Sequence, residues 1–290
     1  MGIVLSILKN EVKKNLSIVI LCAGEGTRLK KITKTTPKPL IKIEPLNSIS
    51  ILYYNIKTLL NFEIDKIAIV IGHLGVSIRE YLTTIKKNDH TLQDKLIIID
   101  TENQYKLGPL YSFLSITKNK SFFTRNNYYL VIPGDTIFDY SILKEIIYII
   151  SKNYTLIHKY PFVFYRIIGL KTLEELYSIN RIISNAEITK LGSEIILKKI
   201  SQLKIRDILS ENTLNQLIPI TALSYDSINE ILNMNRENLN KTIWETLNSI
   251  IFNGKKVLAF EIENKHQFYD IDNKKDLKNL KKKKDNRCSD

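Results

Sequence analysis

The sequence predicts an α/β fold, a Rossmann-like three-layer α/β/α sandwich with a mainly parallel sheet. Short runs of β-branched and other apolar residues alternate with longer segments of helical period, and this alternation continues through the first half of the chain. Parallel neighbouring strands need a crossover connection, which a helix supplies, so helices should cover both faces of the sheet. Ligands bind such folds beyond the carboxyl ends of the strands.

The predicted elements follow one another along the chain. Buried strands are predicted at residues 16–23, 66–72, 95–100 and 128–135, and crossover helices at 48–60, 76–85, 109–116 and 141–150. From Tyr154 to about Gln216 the pattern supports only several short strands and a helix near 172–179. Periodicity then returns, with strands at 218–225 and 256–262, helices at 226–234 and 241–252, and a final helix from about Asn273.

One domain with two short appendages is the most economical interpretation: an N-terminal extension at 1–15, a domain at 16–280 and a basic tail at 281–290. A chain of 290 residues that is 44% apolar can bury a substantial core. Polar residues interrupt every Ile/Leu stretch before it reaches the roughly 20 residues that cross a bilayer, so no transmembrane segment is predicted. The first residues fit a myristoylation pattern, but a short apolar extension is the favoured interpretation.

Cysteine content and charge exclude several classes of protein. The two cysteines, Cys22 and Cys288, cannot form a disulfide framework or a Cys-based metal site, and they favour the cytoplasm. The four histidines have no metal-ligand spacing. The net charge of +13 favours an anionic partner. Nucleic acid is not predicted, because no zinc-finger spacing, RNP-type motif or Gly-x-x-Gly clamp is present, and phosphorylated small molecules account for the charge equally well.

The strongest functional signal is the loop after the first strand, GEGTRLKKITKTTPKPL, from Gly24 to Leu40. Gly24 and Gly26 lack side chains, so backbone N–H groups can approach a polyphosphate closely. Arg28 can neutralise phosphate charge through its planar fork, and Lys38 is a compact cation between two prolines. A Gly-x-Gly turn alone is weak evidence, and a Walker A loop is excluded because no Gly-Lys-Ser/Thr follows.

Carboxylates follow two of the predicted strands. Asp135 ends the apolar run at 128–135, and Asp270 and Asp272 come after a later strand. Two carboxylates, completed by phosphate oxygens and water, suit Mg²⁺, which prefers oxygen ligands. We therefore predict Asp135 and Asp270 as metal ligands, with Asp272 or Asn273 as the cap of the terminal helix.

The motif Gly-x-Gly-Thr-Arg-Leu, followed ten residues past Arg28 by Pro-Lys-Pro-Leu, resembles the signature of the sugar-phosphate nucleotidyltransferases. The segments IGHLGVSIREYL, QYKLGPLYSFL, LVIPGDTIFD and FYDIDNKKDL resemble later parts of that family in the same order. The resemblance implies that residues 16–280 form a magnesium-dependent enzyme of nucleotide-sugar biosynthesis. Such an enzyme transfers a nucleoside monophosphate from a nucleoside triphosphate to a sugar 1-phosphate, or a similar phosphorylated small molecule, and releases pyrophosphate.

The same resemblance implies roles for individual residues. Arg28 and Lys38 would be catalytic, stabilising charge on the α-phosphoryl transition state and on the departing pyrophosphate, and Asp135 and Asp270 would hold Mg²⁺. The nucleotide-binding residues would be Ala23, Gly24, Glu25, Gly26, Thr27, Gln104 and Gly108. Gln104 and Gly108 occupy positions at which family members recognise the base. A homo-oligomer is also compatible with the resemblance.

The middle of the chain departs from the family. LKKISQLKI and LIPITALSY stand where members usually carry a Glu-Lys-Pro segment and an Asn-Ala-Gly-like turn, so Lys199 and Lys204 are only guesses for acceptor binding. The base and the acceptor stay open, and the DID-x-x-x-DL ending resembles cytidylyltransferases that use alditol, inositol or choline phosphates. Other functions that remain open are a catalytically silent regulatory or scaffold subunit, a nucleic-acid-binding protein and a glycosyltransferase.

Overall fold

The computed structural model describes residues 15–29, 32–43, 48–62, 64, 66–208, 213–235, 240–272 and 276, except for the side chain of Arg28. The predicted N-terminal extension, apart from Asn15, and the predicted basic tail therefore lie outside the described residues. The same holds for the predicted terminal helix, apart from Asp276. Within the described ranges, none of the helices combines the length and the apolar character needed to cross a bilayer.

Thirteen strands occur in the part of the chain that the structure describes. They are β1 (Leu16–Cys22), β2 (Lys42–Ile43), β3 (Ile49–Ser50), β4 (Lys66–Ile71), β5 (Leu96–Asp100), β6 (Tyr128–Pro133), β7 (Thr136–Phe138), β8 (Phe162–Gly169), β9 (Ile182–Leu191), β10 (Glu194–Lys204), β11 (Thr213–Ser224), β12 (Leu258–Glu261) and β13 (Phe268–Asp270). The helices are α1 (Ile51–Leu60), α2 (Gly75–Asn88), α3 (Pro109–Leu114), α4 (Tyr140–Lys152), α5 (Tyr154–Ile157), α6 (Leu170–Leu176), α7 (Tyr225–Met234) and α8 (Ile243–Phe252).

A nine-stranded sheet in the order β5-β4-β1-β6-β11-β8-β12-β10-β9 forms the centre of the molecule. Its first four strands are parallel, as predicted. In the other half, β11 is antiparallel to both of its neighbours, β12 is parallel to β8, and β10 is antiparallel to β12 and β9. The α/β class is therefore confirmed, but the expectation of a mainly parallel sheet is not, because β10 and β11 each run antiparallel to both of their neighbours in the sheet order.

Helices cover both faces of this sheet, which gives the three layers that the sequence predicts. Alternate residues of β1 belong to different cores: Ile18 and Ile20 pack with α1, α2 and α4, whereas Val19 packs with α3, α7 and α8. The side chains of a strand point alternately to opposite faces, so a continuous apolar run is the pattern expected of a strand buried on both sides.

The segment between Tyr154 and Gln216 differs from its prediction. Instead of several short strands it contains β8, β9 and β10, of 8, 10 and 11 residues, and the predicted helix lies at α6. Exposed positions interrupt the apolar residues of β9 and β10, so neither strand reads as a buried run. This segment supplies side chains to the candidate site.

A two-stranded ribbon of β7 and β13 lies beside the main sheet. Asp270 pairs with Thr136, the residue that directly follows Asp135. The ribbon therefore brings the two predicted metal ligands together, although they are far apart in sequence.

Candidate functional site

A cleft of about 360 Å³ opens at the carboxyl ends of β1 and β6. It contains four of the seven predicted nucleotide-binding residues, together with Lys38 and Asp135. The complete lining is Leu21, Cys22, Ala23, Gly24, Glu25, Gly26, Lys38, Pro39, Tyr105, Pro109, Ser112, Pro133 and Asp135. The cleft thus lies where ligands bind in an open α/β sheet.

The two glycines of the loop after β1 are needed for different reasons. Gly26 has a φ of +62°, and a Cβ there would lie 2.9 Å from Cγ2 of Thr33. The Thr33 hydroxyl also donates a hydrogen bond of 2.9 Å to the Gly26 carbonyl, which holds the loop against the turn before Lys38. A Cβ on Gly24, in contrast, would meet no atom within 4 Å. Folding therefore requires glycine at 26 but not at 24.

Lys38 is a buried cation, 7% exposed, at the floor of this cleft. Its ammonium group lies 2.7 Å from Oδ2 of Asp135 and 3.1 Å from Oδ1 of Asp272. Burial alone would lower the pKa of Lys38, but Asp135, Asp270 and Asp272 outweigh that effect and raise it. Lys38 therefore carries a positive charge in a position where phosphate oxygens could reach it.

Arg181 is the second cation of the site, and the sequence did not predict it. Its guanidinium contacts Asp270 at 2.5 Å, Asp272 at 2.9 Å and Asp276 at 3.3 Å. The carbon of the guanidinium also lies 5.5 Å from the ring centroid of Tyr177. Arg181 precedes β9 in the segment with the weakest sequence pattern, and no motif links it to the segment FYDIDNKKDL, which carries the three aspartates. The carboxylate of Asp272 pairs with both Lys38 and Arg181. The prediction that Asp272 or Asn273 caps the terminal helix falls mainly on residues outside the described ranges and stays a prediction.

Negative charge exceeds positive charge in this cluster of four aspartates and two cations, which comprises Lys38, Asp135, Arg181, Asp270, Asp272 and Asp276. Burial, followed by repulsion from Asp135 and Asp272, raises the pKa of Asp270 to about 7, although Arg181 and Lys38 act in the opposite direction. Burial also raises the pKa of the Cys22 thiol, with a further contribution from Asp135, so this residue stays protonated. The cluster can accept additional positive charge, and Cys22 cannot serve as a thiolate.

The segment predicted to recognise the base borders the cleft, and other residues than Gln104 and Gly108 line it. Tyr105, Pro109 and Ser112 line the cleft, whereas Gln104 and Gly108 do not, and Gln104 accepts a hydrogen bond of 3.1 Å from Ser115. Gly108 has a φ of +128°, and a Cβ there would lie 2.7 Å from the carbonyl oxygen of Lys241. Gly108 is thus needed for the close packing of this segment.

The remaining predicted residues are dispersed. Thr27 is exposed outside the cleft lining, and the side chain of Arg28 lies outside what the structure describes. Lys199 lines a different cleft, of about 830 Å³, between β10 and α8. Lys204 pairs with Ile182, which follows Arg181 in the chain.

Comparison with known proteins shows which family part of the chain matches. Residues 17–159 match the family model described as nucleotidyl transferase. This segment of the chain belongs to the nucleotidyl transferase family. The match runs from β1 to the end of α5, so it includes Lys38 and Asp135 but not Arg181 or Asp270.

Curated relatives match a similar portion of the chain. The bifunctional protein GlmU of Methanococcus maripaludis strain C7 is 35% identical over 133 residues, which are 46% of this chain and 28% of that protein. The D-glycero-alpha-D-manno-heptose 1-phosphate guanylyltransferase of Campylobacter jejuni is 30% identical over 129 residues, 44% of this chain and 52% of that protein. The chain therefore spans only part of the length of these relatives.

The fold itself is shared over almost the whole length. A UDP-glucose pyrophosphorylase solved in complex with UDP-glucose superposes with a TM-score of 0.66, covering 93% of this chain and 99% of that one at 19% identity. The similarity extends through the antiparallel half of the sheet, which the family model does not reach.

Proposed function

We propose that the chain transfers a nucleoside monophosphate from a nucleoside triphosphate to a sugar 1-phosphate, or a similar phosphorylated small molecule, and releases pyrophosphate. The observation that carries the proposal is the cleft after β1, in which the glycine loop, buried Lys38 and Asp135 lie together at the carboxyl end of the sheet. Family membership supports the reaction type, and the name of the heptose 1-phosphate relative supports a sugar 1-phosphate as acceptor.

In this reaction an oxygen of the acceptor phosphate bonds to the α-phosphorus while the bond to the leaving pyrophosphate breaks. Open space at Gly24 would let phosphate oxygens approach the backbone, and Lys38 would offset the charge that builds up on them. We assign Arg28 the same electrostatic role from its sequence position. The acceptor oxygen is already anionic, so no side chain has to remove a proton from it.

Asp135 and Asp270 are the residues that we propose hold Mg²⁺. The excess of carboxylates over cations, and the raised pKa of Asp270, fit a site that a divalent ion would neutralise. In the described chain no group of three or more His, Cys, Asp or Glu side chains forms a metal site, so phosphate oxygens and water would complete the coordination. When bound, the ion would orient the triphosphate and neutralise its charge. A cytoplasmic location remains a prediction.

A pyrophosphate-release assay tests the proposal directly. Each nucleoside triphosphate is combined with Mg²⁺ and a panel of sugar, alditol, inositol and choline phosphates, and wild type is compared with Lys38→Ala and Asp135→Asn. We expect one triphosphate and one acceptor to react, and both variants to lose about 100-fold or more of kcat, because charge stabilisation at the α-phosphate is lost.

The stability of the variants provides the control. Lys38→Ala removes the ammonium group that pairs with Asp135 and Asp272 and should destabilise the fold, so it is compared at a temperature where it stays folded. Lys57→Met removes an exposed lysine that pairs with Asp89 and should keep full activity. Wild-type rates in Lys38→Ala would contradict the site assignment. No reaction with any pair of substrates would instead favour a silent regulatory subunit.

A further inference from the structure

Arg166 is a buried cation for which neither the sequence nor the site described above has a role. It lies on β8 and is only 1% exposed. Among the described residues no carboxylate is paired with its guanidinium, and Nη2 has no hydrogen-bond partner. Burial lowers the pKa of Arg166, and Tyr177 and Tyr269 only partly offset this. Burying an unpaired charge costs free energy, so a contribution to folding stability does not by itself explain an arginine at this position.

Two of the contacts that Arg166 makes are with the segment that leads to Asp270. Nη1 donates a hydrogen bond of 3.0 Å to the carbonyl of His266, and the guanidinium carbon lies 4.7 Å from the ring centroid of Phe268. On its other side, Nε donates a hydrogen bond of 2.9 Å to Oε1 of Gln216 on β11. Arg166 therefore ties two strands of the central sheet to the residues at which β13 begins.

The β7–β13 ribbon depends on such an anchor. β13 has only three residues, and its pairing within the described chain is with β7, which is equally short. A two-stranded ribbon is marginally stable by itself, so its position must come from its surroundings. The ribbon sets the distance between Asp135, just before β7, and Asp270 at the end of β13.

We propose that Arg166 is a positioning residue that fixes β13 on the central sheet and thereby holds Asp270 at the spacing from Asp135 that a metal-bound triphosphate requires. The inference rests on the proposed function, since it concerns the same site. It makes no claim that Arg166 touches a substrate. Residues that orient metal ligands typically change metal affinity or activity by about 10- to 100-fold when they are replaced.

The test compares full-length wild type with Arg166→Met, Arg166→Lys and the control Arg79→Met, which removes a half-exposed arginine paired with Asp100. The rise in unfolding temperature caused by the preferred triphosphate is titrated against Mg²⁺, and kcat and KM are measured in parallel. We expect Arg166→Met to need about tenfold more Mg²⁺ for half of the rise, and to lose about tenfold in kcat at similar KM for the triphosphate.

The Mg²⁺ requirement and the kcat of Arg166→Lys should lie between those of wild type and Arg166→Met. Lysine can donate a hydrogen bond to the carbonyl of His266 but cannot also donate one to Gln216. If Arg166→Met does not fold, Arg166→Lys is compared with wild type in the same measurements. An unchanged Mg²⁺ requirement in both variants, with wild type responding normally, would overturn the inference about Arg166 but leave the proposed function intact. If wild type shows no Mg²⁺-dependent rise, the proposed function fails and the inference with it.

Discussion

At the scale of single residues, Asp270 connects the electrostatics of the site to the stability of the protein. Its pKa of about 7 in the folded chain lies far above its ordinary value of 3.8. Between these two values the folded protein holds a proton that the unfolded chain has lost. The contribution of Asp270 to the free energy of unfolding therefore falls as the pH rises from about 4 to about 7, and then levels off.

This fall in stability with rising pH leads to a prediction for Asp270→Asn in buffer that contains a metal chelator. Asparagine does not titrate, so the variant should gain stability relative to wild type as the pH rises from 4.5 to 8, although it loses transferase activity. Urea unfolding of both proteins across this range measures the difference, with Asp100→Asn as a control at an exposed ion pair. A difference in free energy of unfolding between the two proteins that stays constant with pH, or that shifts in favour of wild type as the pH rises, would refute this account.

Two glycines that line or border the cleft allow packing to be separated from ligand approach. A Cβ on Gly134 would lie 2.4 Å from Sγ of Cys22 and 2.9 Å from the carbonyl of Leu21, whereas a Cβ on Gly24 meets nothing. We expect Gly134→Ala to lower the free energy of unfolding by about 1–3 kcal/mol, as overpacking does. Gly24→Ala should keep wild-type stability but weaken binding of the triphosphate.

Chemical denaturation and nucleotide titration of the two alanine variants check this pair of outcomes. A stable Gly134→Ala protein would show that the turn before Asp135 can shift at little cost. Unchanged nucleotide affinity in Gly24→Ala would show that phosphate does not approach the backbone there, and the assignment of Gly24 would have to be given up.

At the scale of secondary-structure elements, the sequence predicted buried strands such as β1 and β6 but not the partly exposed β9 and β10. The strands at residues 16–22 and 128–133 were predicted because each is a continuous apolar run, buried almost throughout between two layers of helices. β9 and β10 were missed because exposed positions such as Lys198 and Lys199 interrupt their pattern. Lys38 and Asp135 were predicted from local motifs. Arg166 and Arg181 were not, since only the tertiary structure brings Arg181 to Asp270 and Arg166 to the start of β13.

The start of α8 offers a test at this scale. Thr242 and Glu245 form a reciprocal capping box, and the Glu245 carboxylate also accepts a hydrogen bond of 2.8 Å from the backbone of Lys241. Thr242→Ala should lower the free energy of unfolding by about 1 kcal/mol, the usual value of such a cap. Thr83→Ala, on an exposed face of α2, is the matched control and should have little effect. Equal stability of the two variants would contradict the assigned role.

At the scale of the whole molecule, the two halves of the sheet contribute differently to the site. The parallel half carries the glycine loop, Lys38 and Asp135, and it is the part that matches the family model. The antiparallel half and the segment after it supply Arg166, Arg181 and Asp270. The family resemblance was readable in the first half because its motifs are contiguous. In the second half, the segment FYDIDNKKDL predicted Asp270, whereas Arg166 and Arg181 became apparent from the structure.

The most direct test of the account is thermal unfolding with each nucleoside triphosphate, with and without Mg²⁺, since it requires no knowledge of the acceptor. A ligand at 100 times its Kd adds about 2.7 kcal/mol of stability, which raises the unfolding temperature by several degrees. We predict a rise that depends on Mg²⁺, favours one triphosphate and is lost in Lys38→Ala. No rise with any triphosphate, or an equal rise in Lys38→Ala, would contradict a nucleotide site in the cleft after β1.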